Sequence, residues 1–221
     1  MTIKNKFIID LNYKQYAIIG LMAPLMFTIT YLIMSQQRPE YSFLTKAISE
    51  LGSLEAPNKW YWNIFGYILP GVFISIFSIG LYESTSTSKS SKLPLIGFFL
   101  SGVMMILSGV FPGDFEHRSS PTMVMHTIGS IGCYIFFLLG AFSYRSIMKK
   151  NPYWKFTIRP SLILTWLTIV FGSWQFVFPE MPGAGQRIVF SLYYLWIIYN
   201  GYKLYLYNTF LTSTPTRTEY Y

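Results

Sequence analysis

Asp114 and His126 stand twelve positions apart in this chain, across a polar turn. A carboxylate beside an imidazole orients the ring and raises its basicity, so the pair could carry acid–base chemistry. The same two groups could instead tie neighbouring helices by a hydrogen bond, and residue type alone does not choose. Glu50 closes an apolar run. There a carboxyl kept neutral by its surroundings could donate a proton, or it could pair with Lys46 one helical turn away. Asn63, Gln175 and Arg187 have the polar ends needed to orient a substrate. Glu180 could join them by pairing with Arg187, which could also hold an anionic headgroup or act as an interfacial anchor. Asp114, His126 and Glu50 are thus the candidate catalytic groups. Asn63, Gln175, Arg187 and Glu180 are the candidate substrate-binding groups.

Other chemistries are excluded or demoted. The chain has no Walker loop, no dinucleotide glycine fingerprint, no HExxH and no GxSxG. With only two histidines, it cannot build a three-histidine zinc site alone. No metal or cofactor is expected; the one alternative is zinc held by His117, His126 and a carboxylate. His117, beside Glu116 and Arg118, reads more simply as a solvated loop residue. Cys133 is the only cysteine, so no intrachain disulfide forms, and inside an apolar stretch it reads as an inert thiol.

Six apolar stretches must position these groups: 16–35, 60–82, 93–112, 123–146, 160–178 and 188–207. Each is close to the ~20 residues that a bilayer-spanning helix needs. The chain of 221 residues is 52% hydrophobic and 12% charged, against about 25% charged in soluble domains. Aromatic residues reach 19% and suit membrane interfaces. The expected fold is all-α: one membrane domain over 1–221, a polytopic bundle of six transmembrane helices with a polar tail over 209–221. The first stretch is too long for a cleavable signal peptide and lacks a small-residue cleavage site, so it reads as a retained span.

The net charge of +8 would suggest nucleic acid in a soluble protein, but the bases lie in short loops beside spans. Nucleic acid is therefore not an expected partner. Lys4, Lys6, Lys14, Lys89, Lys92, Arg145, Lys149, Lys150, Lys155, Arg159, Lys203 and Arg217 fall on one side. Arg38, Lys46, Lys59, Arg118 and Arg187 fall on the other. Basic loops stay cytoplasmic, which puts both termini inside, most simply at the plasma membrane. The acids favour the outer side, where Glu40, Glu50, Glu55, Asp114, Glu116 and Glu180 fall. Only Asp10, Glu83 and Glu219 fall inside. That bias fits a solvated rim or an outward-facing polar site.

In the first outer loop, Phe43, Leu44, Ala47, Ile48 and Leu51 repeat at helical spacing, with Ser42 as N-cap and Gly52 as stop. The spacing predicts a short amphipathic helix over 41–51, lying in the outer interface or over the bundle mouth. His126, Gly129, Ser130 and Cys133 share one helical face, as do Thr165, Thr168, Gly172 and Gln175, and Gly97, Ser101 and Ser108 line up with small side chains in the third stretch. Such stripes serve close helix packing as readily as a site. The turns after the third and fifth stretches, 110–114 and 177–180, resemble each other faintly, by duplication of a hairpin or by chance.

Three blocks of residues carry a family resemblance. Tyr41-Ser42, Ile48-Ser49-Glu50-Leu51-Gly52, Asn63 and Gly66 form the first. Gly109-Val110-Phe111-Pro112-Gly113-Asp114 with His126 and Gly129 form the second, and Gly185-Gln186-Arg187 the third. Together they resemble the membrane proteins grouped as domain of unknown function 998. The resemblance implies a six-helix membrane fold, no established reaction, and interest in Glu50, Asn63, Asp114, His126 and Arg187. A remoter likeness, to ceramidase- and progestin-receptor-like membrane hydrolases, implies a zinc ion among Ser, Asp and three His, which two histidines do not supply. Two functional readings follow. One is an intramembrane acid–base enzyme on a lipid or isoprenoid, hydrolase- or cyclase-like. The other is a non-catalytic lipid-binding, transport or assembly protein. Membrane lipids and a hydrophobic small molecule are the expected partners; the oligomeric state is open.

Overall fold

The computed structural model describes residues 11–213. Lys4, Lys6, Asp10, Arg217, Glu219 and the tail beyond residue 213 lie outside the described residues. Six long helical elements run through the described residues: α1 (Tyr13–Gln36), α2 (Lys59–Thr85), α3 (Leu93–Val110), α4 (Pro121–Met148), α5 (Trp154–Val177) and α6 (Pro182–Ser213). No strand occurs among the described residues. Helices α1 to α5 are each long and apolar enough to cross a membrane. Helix α6 has 32 residues but is more polar, with Gln186, Arg187, Asn200 and Lys203 along it. The protein is an all-helical, multi-pass membrane protein.

Local chemistry sets the helix ends. Asn12 caps α1 through a reciprocal pair of bonds with Gln15, both at 2.9 Å. Ser120 caps α4 and Pro121 opens it. Within α2, residues Asn63–Ile68 widen into a π-helical turn. Pro70 lacks the N–H that an α-helical ladder needs there, and the Leu69 N–H reaches back five residues to the Ile64 carbonyl. The widened turn keeps Asn63, Gly66 and Tyr67 on the buried face.

Helix α3 is the hub, packed tightly on α4 along its length and on α2. The glycine stripes make this approach close. A Cβ on Gly97 would strike the backbone of Gly140, and one on Gly129 would strike Ser108. Helix α1 packs on α2 and α6, and α5 packs mainly on α6.

The loops gather at two ends. At one, the Leu54 N–H donates to the Gly113 carbonyl at 2.9 Å and the Ala184 N–H to the Leu44 carbonyl at 3.2 Å. At the other, Trp154 Nε1 donates to the Ser84 carbonyl at 3.1 Å and the Tyr153 hydroxyl to the Lys203 carbonyl at 2.8 Å.

The expected amphipathic helix over 41–51 takes a different form. A turn spans 42–46, and only Ile48–Gly52 is helical, as a single 3-10 segment. The groups a helix would use internally are engaged elsewhere. α6 takes the Leu44 and Lys46 carbonyls, and Gln186 accepts the Ile48 N–H. Phe43 and Leu44 remain exposed, while Ile48 and Leu51 are buried.

Candidate functional site

Asp114 and His126 are both buried, at 5% exposure each, but hydrogen-bond to different partners. Asp114 follows Pro112-Gly113 into the loop before α4. Its Oδ1 accepts the His117 N–H at 2.8 Å, with the exposed His117 imidazole 3.5 Å away. The backbone bond from His117 leads in holding its carboxyl below the usual carboxylate range, helped by Ser120 and the His117 imidazole and opposed by desolvation. Asp114 organises the turn.

His126 lies one turn and a half into α4. Its Nδ1 is 2.9 Å from the Ser108 carbonyl and 3.0 Å from that of Phe111. Both partners only accept, so Nδ1 carries a proton and satisfies carbonyls left open where α3 ends. The Tyr67 ring lies edge-on, with centroids 6.2 Å apart.

Glu50 sits in the 3-10 segment. Its Oε1 accepts the Ala47 N–H at 2.8 Å and its Oε2 pairs with Lys46 at 3.1 Å. Its carboxylate thus caps and braces the loop. Asn63 is fully buried. Its Nδ2 donates to the Gly52 carbonyl at 2.9 Å, while its Oδ1 and the neighbouring Trp62 Nε1 find no partner among the described residues.

Arg187 binds the same loop to α6. Its Nε donates to the Tyr31 hydroxyl and its Nη2 to the Tyr41 hydroxyl, both at 2.7 Å. Its Nη1 donates to the Lys46 carbonyl at 2.9 Å and the Gly183 carbonyl at 2.6 Å. The rings of Tyr31, Tyr41 and Phe43 surround the guanidinium, with centroids 5.3 to 5.5 Å from Cζ. Burial holds the Tyr41 phenol above its ordinary pKa, so it stays neutral and donates its own hydrogen bond to the Ala47 carbonyl at 3.1 Å. No carboxylate pairs with Arg187 among the described residues. Gln175 and Glu180 are exposed beyond the break in α5 at Ser173, and neither forms an ion pair or side-chain hydrogen bond with Arg187 among the described residues.

Beneath the loop lies a partly open cavity of about 170 Å³ between α2, α3, α4 and α6. Tyr67, Phe190 and Tyr193 supply aromatic walls; Ser108, Ser130 and Gln186 supply polar atoms. The Ser108 and Ser130 hydroxyls are 3.1 Å apart, and Ser108 donates to the His126 carbonyl at 3.3 Å. Of these six, the sequence reading singled out only Ser130, Ser108 and Gln186, as members of stripes and blocks. Eighteen tyrosines give no pattern that would select Tyr67 or Tyr193. Among the described residues, no three of His, Cys, Asp and Glu stand together as a metal-holding group.

Fold and site define a multi-pass helical membrane protein with a strapped loop over an uncharged cavity. The chain belongs to the family described as "Protein of unknown function (DUF998)", whose model matches residues 21–201. No curated protein and no solved structure matches the chain.

Proposed function

We propose that the protein is a six-span membrane protein, both termini cytoplasmic, that holds a hydrophobic small molecule or membrane lipid in the cavity between α2, α3, α4 and α6. Helix α6 serves as the sixth span. Its 32 residues rise about 48 Å, more than the ~30 Å of a bilayer core. Its interior polar groups have partners: Asn200 donates to the Trp196 carbonyl at 2.9 Å and shares a bond with Ser161. The orientation follows the basic residues, which favour the end opposite the strapped loop, and basic loops stay cytoplasmic. The membrane is the plasma membrane on the same reasoning.

The observation that carries this reading is the cavity itself. Close-packed interiors leave few voids larger than water, and this one is walled by aromatic and apolar groups with a few neutral polar atoms. Asp114 and Glu50 are engaged in their loops, so the reading rests on binding. Val189 lines the cavity, and Val189→Phe would fill it. Native mass spectrometry of gently extracted wild type should show a discrete lipid adduct that the variant loses. Equal adducts in both would contradict the proposal.

His126 supports a second reading, acid–base turnover of a lipid or isoprenoid. Its Nδ1–H bonds leave Nε2 as a proton acceptor. His126→Asn keeps a donor near Nδ1 and removes Nε2. Turnover of a lipid extract that survives this change would overturn it.

A further inference from the structure

Resting on the cavity reading, we propose that the occupant is a lipid quinone: a flat ring bearing carbonyl oxygens, with its tail leaving between α4 and α6. Size sets the first limit. A cavity of about 150 Å³ takes a single benzene ring, so about 170 Å³ admits a ring-sized head and excludes a whole lipid. The tail must lie outside. The backbones of α4 and α6 stand apart and meet through ring contacts such as Phe137 with Tyr193 and Tyr144 with Trp196, while Ser130, two turns away from Phe137 on the cavity wall, is exposed and leaves an exit on that side.

The walls suit a flat ring. The Tyr67 and Phe190 rings stand 6.5 Å apart at 33°, and Tyr193 completes an aromatic surface. No Lys, Arg, Asp or Glu lines the space, so a phosphate or carboxylate head would be desolvated without a counter-charge.

The polar atoms that remain offer donors. The Gln186 Oε1 must face the Ile48 N–H, 2.5 Å away, which fixes the amide orientation. Its Nε2 then has two protons and no partner among the described residues, on a side chain that lines the cavity. On the opposite wall, the Ser108 proton is committed to the His126 carbonyl, so Ser130 donates in the 3.1 Å contact between the two hydroxyls, and it reaches an occupant by exchanging that bond for one to the ligand. Two donors on facing helices match the two carbonyl acceptors of a quinone. A bare hydrocarbon would leave the Gln186 amide protons unmet.

The test is calorimetric titration of the full-length, delipidated protein in mild detergent. The probes are a decyl-substituted benzoquinone, decylbenzene and a diacyl phospholipid. The quinone should bind saturably, one per chain, and decylbenzene and the phospholipid at least about tenfold more weakly, as for loss of one hydrogen bond. Gln186→Glu keeps the acceptor for Ile48 and removes the donor; Ser130→Ala removes the hydroxyl. Each should weaken the quinone about tenfold and leave decylbenzene unchanged. Where the Glu variant fails to fold, Ser130→Ala alone decides. Decylbenzene or phospholipid binding as tightly as the quinone would overturn the ligand assignment and leave the cavity reading intact. Absence of binding by every probe, with no lipid adduct on wild type, would overturn both.

Discussion

Arg187 uses four donor contacts and three aromatic rings to tie the loop, through Tyr41, Phe43 and Lys46, to α1 and α6, through Tyr31 and Gly183, and a lysine offers neither the fork nor the stacking surface. Bonds from a charged donor are worth roughly 1.5–3 kcal/mol each. Arg187→Lys should therefore free residues 41–52 by about 2 kcal/mol or more, read as faster hydrogen exchange in that loop with the helices unchanged. Unaltered exchange there would contradict the strap. Asp114 makes a second prediction. Its folded pKa is depressed, so its bonds stabilise the loop at neutral pH, and the contribution is lost as pH falls through the depressed value. Melting temperature should fall on the acid side in wild type, and Asp114→Asn should remove that acid-limb slope while lowering stability near neutrality. An identical pH profile in the variant would show that the carboxylate does not hold the turn. These residues were picked out by type and position in the sequence. Their partners were not, because a tyrosine hydroxyl or a backbone carbonyl carries no signature of what it will meet.

At the scale of elements, the helices behind the six apolar stretches were legible, five of them long and apolar enough to cross a membrane, because an apolar run of about 20 has one inexpensive fate in a bilayer. α4 extends from the expected 123–146 to Pro121–Met148, and α6 begins at Pro182 instead of 188. The loop over 41–51 takes a different form from the helix its spacing predicts because local periodicity competes with hydrogen-bond donors and an acceptor on α6, 138 to 141 residues away in sequence, which periodicity does not report. Glycine positions give a test of packing. A Cβ on Gly97 meets the Gly140 backbone, whereas one on Gly132 meets only the flexible Met104 side chain. Gly97→Ala should cost about 1–3 kcal/mol by thermal unfolding in detergent, and Gly132→Ala much less. Equal costs would contradict the close α3–α4 approach. The cavity was not legible at all, since four helices each contribute a few wall residues with no shared spacing.

The whole molecule sorts its charges between two ends, and that sorting predicts its orientation. Cys133, the only cysteine, is buried, so added surface cysteines report without interference. Ser88→Cys lies in the loop between α2 and α3, and Ser119→Cys in the loop before α4, both exposed and at opposite ends. A membrane-impermeant maleimide on intact cells should label the Ser119→Cys protein and spare the Ser88→Cys protein until the membrane is opened. The reverse pattern would invert the orientation and move the strapped loop to the cytoplasmic face. A ligand in the space beneath that loop is seen most directly in an experimental density map of the protein in a nanodisc of its own membrane lipids. Continuous density is expected between Tyr67, Ser130 and Gln186, leading out between α4 and α6. A collapsed cavity with Phe190 and Tyr193 packed against Ser108, and no density between them, would contradict it.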